Sequence, residues 1–207
     1  LGLTRHAPPT LCTLPHGRGD GTQSAHLRTG DDSRRTPRTY GHDPDSRPVQ
    51  SHTSVAQEAE MQTIDFVVLE NHRLSILEVV PHVDGSSLIE LVAAFESSQG
   101  FTPSGAYGGL IPDFINCGDL NAYYLGRSKI QWPEPGRRAW LLGCDCGEVG
   151  CWPFEAEITE TDGTVVWTGF RQPCQPGWNY SSFGPFIFDA AEYREAVAQA
   201  ASRVPQT

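Results

Sequence analysis

The stretch "CWPFEAEITETDGTVVWTGF", residues 151 to 170, carries the period on which the fold is read. Phe154, Ala156 and Ile158 alternate with Glu155, Glu157 and Thr159. A two-residue period puts the apolar set on one face of a strand and the polar set on the other. Asp162-Gly163 interrupts the alternation, and "VVWTGF" resumes it. A two-residue type I′ turn needs positive φ at both positions, which Asp and Gly tolerate, so the segment is predicted to be a β-hairpin. Glu155 and Glu157 then share an outward face and serve to solvate it, with no acid–base role assigned.

Just upstream, "AWLLG" reads as a short buried strand that runs into Cys144, Cys146 and Cys151, a C-x-C-x4-C cluster with Gly147 and Gly150 inside it. Thiolates that converge on a small tetrahedral ion at about 2.3 Å require a tightly curled backbone. Glycine permits the positive φ of such a curl. The cluster is therefore read as a metal knuckle with one coordination position left to fill. Cys174, in "RQPCQPGW", is the first candidate for it, because the hairpin returns the chain to the knuckle. Cys117, in "FINCGDL", is the alternative, and Cys12 is set aside with the N-terminal tail.

Other fates of these thiols are buried apolar packing, disulfides and a redox pair. A redox pair is more typically C-x-x-C, which the cluster lacks. Four Cys ligands would leave no site for water, so the expected ion is a structural zinc. Glu148 is read as a solvated turn residue rather than as a general base beside a metal-bound water. The deaminase pattern H-x-E…P-C-x-x-C is not matched.

The C-x-C-G-x3-C pattern resembles the zinc knuckle that follows the catalytic domain of SET-type lysine methyltransferases, whose fourth ligand is also remote. That likeness covers eight residues and lacks the cofactor-binding and Tyr-containing catalytic motifs, so it implies metal binding and not methyl transfer. More broadly, "LLGCDCGEVGCWPFEAEI", "VVWTGFRQP" and "WNYSSFGPFIFDAAEY" resemble a family of short, functionally uncharacterised proteins from GC-rich, actinobacterial-type genomes. The resemblance spans about residues 64 to 200 and implies no activity. In that family His often stands where this chain has Cys174, and both types ligate zinc.

Further out, "TIDFVVL" and "LSILEVV" read as two strands of a hairpin that Pro81 ends. "DGSSLIELVAAFESSQG" reads as a helix with Leu88, Leu91, Val92 and Phe95 on its apolar face, Ser87 and Glu90 as a capping box, and Gly100 as the stop. Residues 101–138 are rich in Gly, Pro and aromatics and read as mostly irregular. A last helix from about Asp189 to Arg203 is predicted, capped by Asp189, stapled by Phe188 on Tyr193, and buried along Tyr193, Val197, Ala200 and Val204. The expected class is α+β, an antiparallel sheet packed with two helices, with a Cys-rich knuckle between strands.

Residues 1–60 hold one aromatic, Tyr40, and no Trp, Phe or Ile. Such a segment cannot offset its chain entropy, so it is expected to be a disordered tail. The chain's one Met, Met61, stands at the change in composition. The expectation is that 61–207 forms one domain and that 1–60 is a spurious upstream extension.

Residues 61–207 hold eight Lys/Arg against eighteen Asp/Glu, so the net charge of −10 sits on the folded part. Nucleic-acid binding would need Arg127, Lys129, Arg137 and Arg138 to converge, and the overall charge argues against it. No apolar run of about 18 residues and no signal segment is evident, so no membrane span and a cytoplasmic location are expected. No P-loop and no G-x-S-x-G elbow occurs. The functional expectation is a zinc-stabilised binding or interaction module whose partner, protein or small molecule, is unknown. The alternative is a small enzyme with its cleft between the Gly-rich 101–126 loop and the 176–188 aromatic segment.

Overall fold

Two alternating stretches open the fold, β1 (Ile64–Asn71) and β2 (Ile76–Val83), paired antiparallel from Ile64↔Val83 to Asn71↔Ile76. This computed structural model describes residues 60–71, 74–115, 117–128 and 138–204. Residues 1–59 of the expected tail therefore lie outside the described residues. The two-residue strand β3 (Ser86–Ser87) adds to β2 and completes a three-stranded sheet.

Pro81 does not end the hairpin, because β2 runs through it. The Val79 N–H and C=O bond Leu110, on the edge away from β1. Pro81 is two residues on, so its missing N–H falls on that same outer edge and no β1–β2 bond is lost.

Helix α1 (Leu88–Ser98) takes Ser87 as its cap, as expected, but the side chain accepts from the Ile89 N–H at 3.2 Å and not from Glu90. It stops as expected too. Gly100 at φ +72° lets its own N–H bond Ser97 O, while the Phe101 N–H bonds Glu96 O. The loop that follows is less irregular than expected. It contains β4 (Tyr107–Gly108) and two short helices, α2 (Pro112–Ile115) and α3 (Leu120–Tyr124), the latter capped by Asp119. At Gly109 the loop crosses β2 so closely that an added Cβ would lie 2.8 Å from Val80 Cγ2 and 2.9 Å from Val79 O.

β5 (Arg138–Cys144), β6 (Phe154–Thr161), β7 (Thr164–Arg171) and β8 (Phe186–Asp189) join β4 in a five-stranded antiparallel sheet of order β4-β5-β6-β7-β8. Asp162 (φ +47°) and Gly163 (φ +83°) make the two-residue turn between β6 and β7. Helix α4 (Ala190–Arg203) takes Asp189 as its cap and buries Tyr193, Val197, Ala200 and, just past its end, Val204. Phe188 lies 5.6 Å from Tyr193, ring to ring. The class is α+β, with four helices rather than two on antiparallel sheets.

The core is aromatic. Phe66 of the first sheet meets Tyr124 of α3 and Tyr193 of α4 at 4.5 and 5.6 Å between ring centres. The Trp167 indole donates to Tyr193 Oη at 3.0 Å, and that hydroxyl donates to Tyr124 O at 2.7 Å. Each buried hydroxyl or indole N–H needs such a partner, because losing it leaves a desolvated polar group.

Two fully buried carboxylates among the described residues shape the rest. Glu155 was expected outward, but it is fully buried. The alternation survives on β6, with Phe154, Ala156 and Ile158 buried, but its other face is covered at Glu155 and open only from Glu157. Glu155 stands opposite Arg171 and Glu157 opposite Thr168, so the extra residue of the register shift falls on β7. Arg171 ion-pairs with Glu155, and Arg138 lies 3.6 Å from it. Burial pushes the Glu155 carboxyl up, against the pull of both guanidiniums. Glu96 is also fully buried. It receives the Gly105 N–H at 2.6 Å, the Tyr107 hydroxyl at 2.6 Å and the Tyr180 hydroxyl at 2.5 Å.

All three partners of Glu96 donate, so an amide in its place would set its N–H against the Gly105 N–H or force the tyrosine hydroxyls to turn and accept. Glu96→Gln is expected to destabilise the fold by about 2–3 kcal/mol, more than Tyr180→Phe alone, as read by urea unfolding.

Candidate metal centre

The knuckle begins where β5 runs out. Cys144 is its last residue and pairs across to Tyr107 of β4, while the Asp145 N–H bonds Ala106 O at 3.0 Å. The chain then curls. The Gly147 N–H returns to Cys144 O at 3.0 Å, with Gly147 at φ +91°. A 3-10 turn at Val149–Cys151 brings the third cysteine round, closed by the Cys151 N–H on Glu148 O at 3.2 Å. Trp152 is buried straight after, its indole N–H donating to Gly105 O at 3.0 Å.

The curl brings Cys144, Cys146 and Cys151 together, their sulfurs all within 4.8 Å of one another. Cys146 Sγ and Cys151 Sγ are 3.5 Å apart. Four thiolates at about 2.3 Å from a tetrahedral ion lie roughly 3.8 Å from each other, so three corners of such a site are in place. Cys146 is exposed, while Cys144 and Cys151 are half-buried. Burial raises the Cys144 and Cys151 thiols above their ordinary range. Burial opposes ionisation of Cys146 as well, but hydrogen bonds from Cys144, the backbone at Glu148 and Cys151 hold its thiol below that range. A cation bound by the three sulfurs would displace their protons.

Cys174 does come back to the knuckle, as the hairpin argument required, with its Sγ 3.6 Å from Cys151 O. It is disulfide-bonded here and is not one of the three converging sulfurs. Buried Gln172 steadies the segment, its side-chain oxygen accepting the Cys174 N–H at 2.6 Å. Cys117 is elsewhere. Its thiol is buried beside Gly118 O, pushed up to about 11 by burial. Glu148 is exposed, as expected of a turn residue.

Aromatic side chains pack between the 101–126 loop and the 176–188 segment. Phe101 stacks on Trp178 at 4.6 Å between ring centres, and Tyr107 and Tyr180 share the Glu96 carboxylate. The cations named for a nucleic-acid face do not form one among the described residues. Arg127 pairs with Glu160 and Arg138 with Glu157, while Lys129 and Arg137 lie outside them. No helix among the described residues is long and apolar enough to cross a membrane. Glu96 was missed from sequence, although Leu88, Val92 and Glu96 form the i, i+4, i+8 row that is buried on α1. Comparison with known protein families, with characterised proteins and with solved structures found no match to this chain.

A Cβ at Gly147 would meet the end of the Leu74 side chain at 2.4 Å in a conformation L-residues rarely adopt. Leu74 is partly exposed and can swing away, so the backbone strain dominates. Gly147→Ala is expected to cost about 1–3 kcal/mol in thermal unfolding and to weaken metal binding in a competition assay.

Proposed function

We propose that the knuckle holds one zinc ion in a structural role and that the domain it braces is a binding or interaction module. The observation that carries this is the convergence of three thiols on a loop shaped by Gly147. An all-sulfur donor set suits zinc, and the bond lengths match the spacing. Cys174 is the fourth ligand in this reading. In a reducing cytoplasm its disulfide opens, and the freed thiol stands beside the Cys151 carbonyl. Four sulfurs close the coordination sphere, so the ion carries no water for catalysis.

What such an ion would brace follows from the strand ends. Cys144 terminates β5, and Cys151 stands three residues before β6, so one cation ties the β5–β6 connection to itself. Cys174 would add the end of β7. The filled space between Phe101 and Trp178 favours a binding module over the enzyme alternative.

Protein purified under reducing conditions is expected to carry about one equivalent of zinc by elemental analysis, and chelator is expected to lower its unfolding temperature. Cys144→Ser, Cys146→Ser and Cys151→Ser should each reproduce that loss, and Cys117→Ser should not. Cobalt substitution separates the ligand sets. A four-sulfur spectrum that Cys174→Ser converts to a three-sulfur one supports this assignment, and a spectrum with a bound water opposes the structural role. Metal affinity is expected to fall as pH drops, because protons compete for the same sulfurs.

A further inference from the structure

The cysteines among the described residues differ in how they meet solvent. Cys146 is exposed and Cys144 and Cys151 are half-buried, while Cys117, away from the knuckle, is buried. A dissolved oxidant therefore reaches the Cys146 sulfur first. Cys151 Sγ lies 3.5 Å from it, and a disulfide would close that gap to about 2.05 Å. Both residues sit on the connection between β5 and β6, in C-x4-C spacing, so a small shift of the turn suffices. Cys144 has less freedom to move, because its backbone pairs with Tyr107 and the next N–H bonds Ala106 O. The knuckle also borders a sulfur that is already oxidised, since Cys174 is disulfide-bonded with its Sγ 3.6 Å from Cys151 O.

We infer that Cys146 and Cys151 are a peroxide-sensitive pair whose disulfide releases the metal. This deepens the structural-zinc reading and rests on it. As zinc ligands both sulfurs are thiolates. The Cys146 thiolate attacks one peroxide oxygen; an S–O bond forms, the O–O bond breaks and hydroxide leaves. The Cys151 thiolate then attacks the Cys146 sulfur, an S–S bond forms, and a second hydroxide leaves. Two thiolates have then given two electrons to one peroxide, and two protons from solvent turn the hydroxides into water. The ion keeps only Cys144 and Cys174 of its four donors and is lost. The disulfide ties less than the ion did. It closes the 147–150 turn, whereas the ion joined that turn to the end of β5 and, through Cys174, to the segment after β7. Oxidation thus unbraces the strands while the turn stays closed, and the stability of the binding module follows the oxidant.

The test uses the full chain, purified under reducing conditions, freed of reductant and treated with hydrogen peroxide. About one equivalent of zinc is expected to pass to a metal-binding dye, with a lowered unfolding temperature. A peptide map should show a Cys146–Cys151 cross-link. Dithiothreitol with added zinc should reverse all three changes, and Cys117→Ser should behave as the parent does. Cys151→Ser leaves Cys146 without its resolving sulfur, so dimedone should label Cys146 in several-fold higher yield than in the parent. That readout needs no bound metal. Cross-links that join Cys144 to Cys146, or oxidation confined to Cys174, overturn the pairing. Zinc that stays bound while peroxide is in excess overturns the inference and leaves the structural-zinc reading standing. A protein that holds no zinc yet forms the Cys146–Cys151 disulfide refutes the metal reading and upholds the thiol pair.

Discussion

A single buried carboxylate, that of Glu96, holds the elements around the knuckle in register. Its oxygens collect one backbone N–H and two tyrosine hydroxyls. Those donors come from α1's C-terminal loop, from β4 and from the aromatic segment before β8. The same loop meets both flanks of the cysteine cluster: Tyr107 pairs with Cys144, and Gly105 O accepts the Trp152 indole. Removing a charge from water is costly, and a carboxylate repays it only when its lone pairs are taken up by donors. Here they are. The loop that this carboxylate pins to the core thus borders the cysteine cluster on both flanks.

How much of this was legible in the sequence depended on how local the determinant was. The hairpin at 154–171, the caps of α1 and α4, and the stripe from Tyr193 to Val204 rest on spacing and turn chemistry, which a sequence displays directly. The three converging thiols were legible for the same reason, since eight residues and two glycines suffice to curl them together. Glu155 was misread because the alternation, although kept, does not reveal that the second face of β6 is covered at that end, which is a tertiary fact. Pro81 was misread because its effect depends on which edge of β2 faces a neighbour, a tertiary fact. α2 and α3 escaped notice because four- and five-residue helices show too few turns for periodicity.

The cysteine loop is also approached from the first sheet. Leu74, in the turn between β1 and β2, lies over Gly147 of the knuckle, and Ile111 comes near the same glycine from the 101–126 loop. The curl that gathers the thiols is thus backed by apolar side chains from two other parts of the chain, while Cys146 faces solvent.

The crossing at Gly109 has a further consequence. By bringing Leu110 into a two-way backbone bridge with Val79, the loop occupies the outer margin of β2, and β3 occupies the remainder at His82 and Val83. Unpaired strand margins are templates on which a foreign chain can add itself and seed fibrils. This one is covered at Val79 and again at His82 and Val83, with Pro81 contributing no donor between them. A bulkier residue at 109 would prise the loop off and lay bare an adhesive border, so the glycine guards colloidal behaviour as much as it serves the fold.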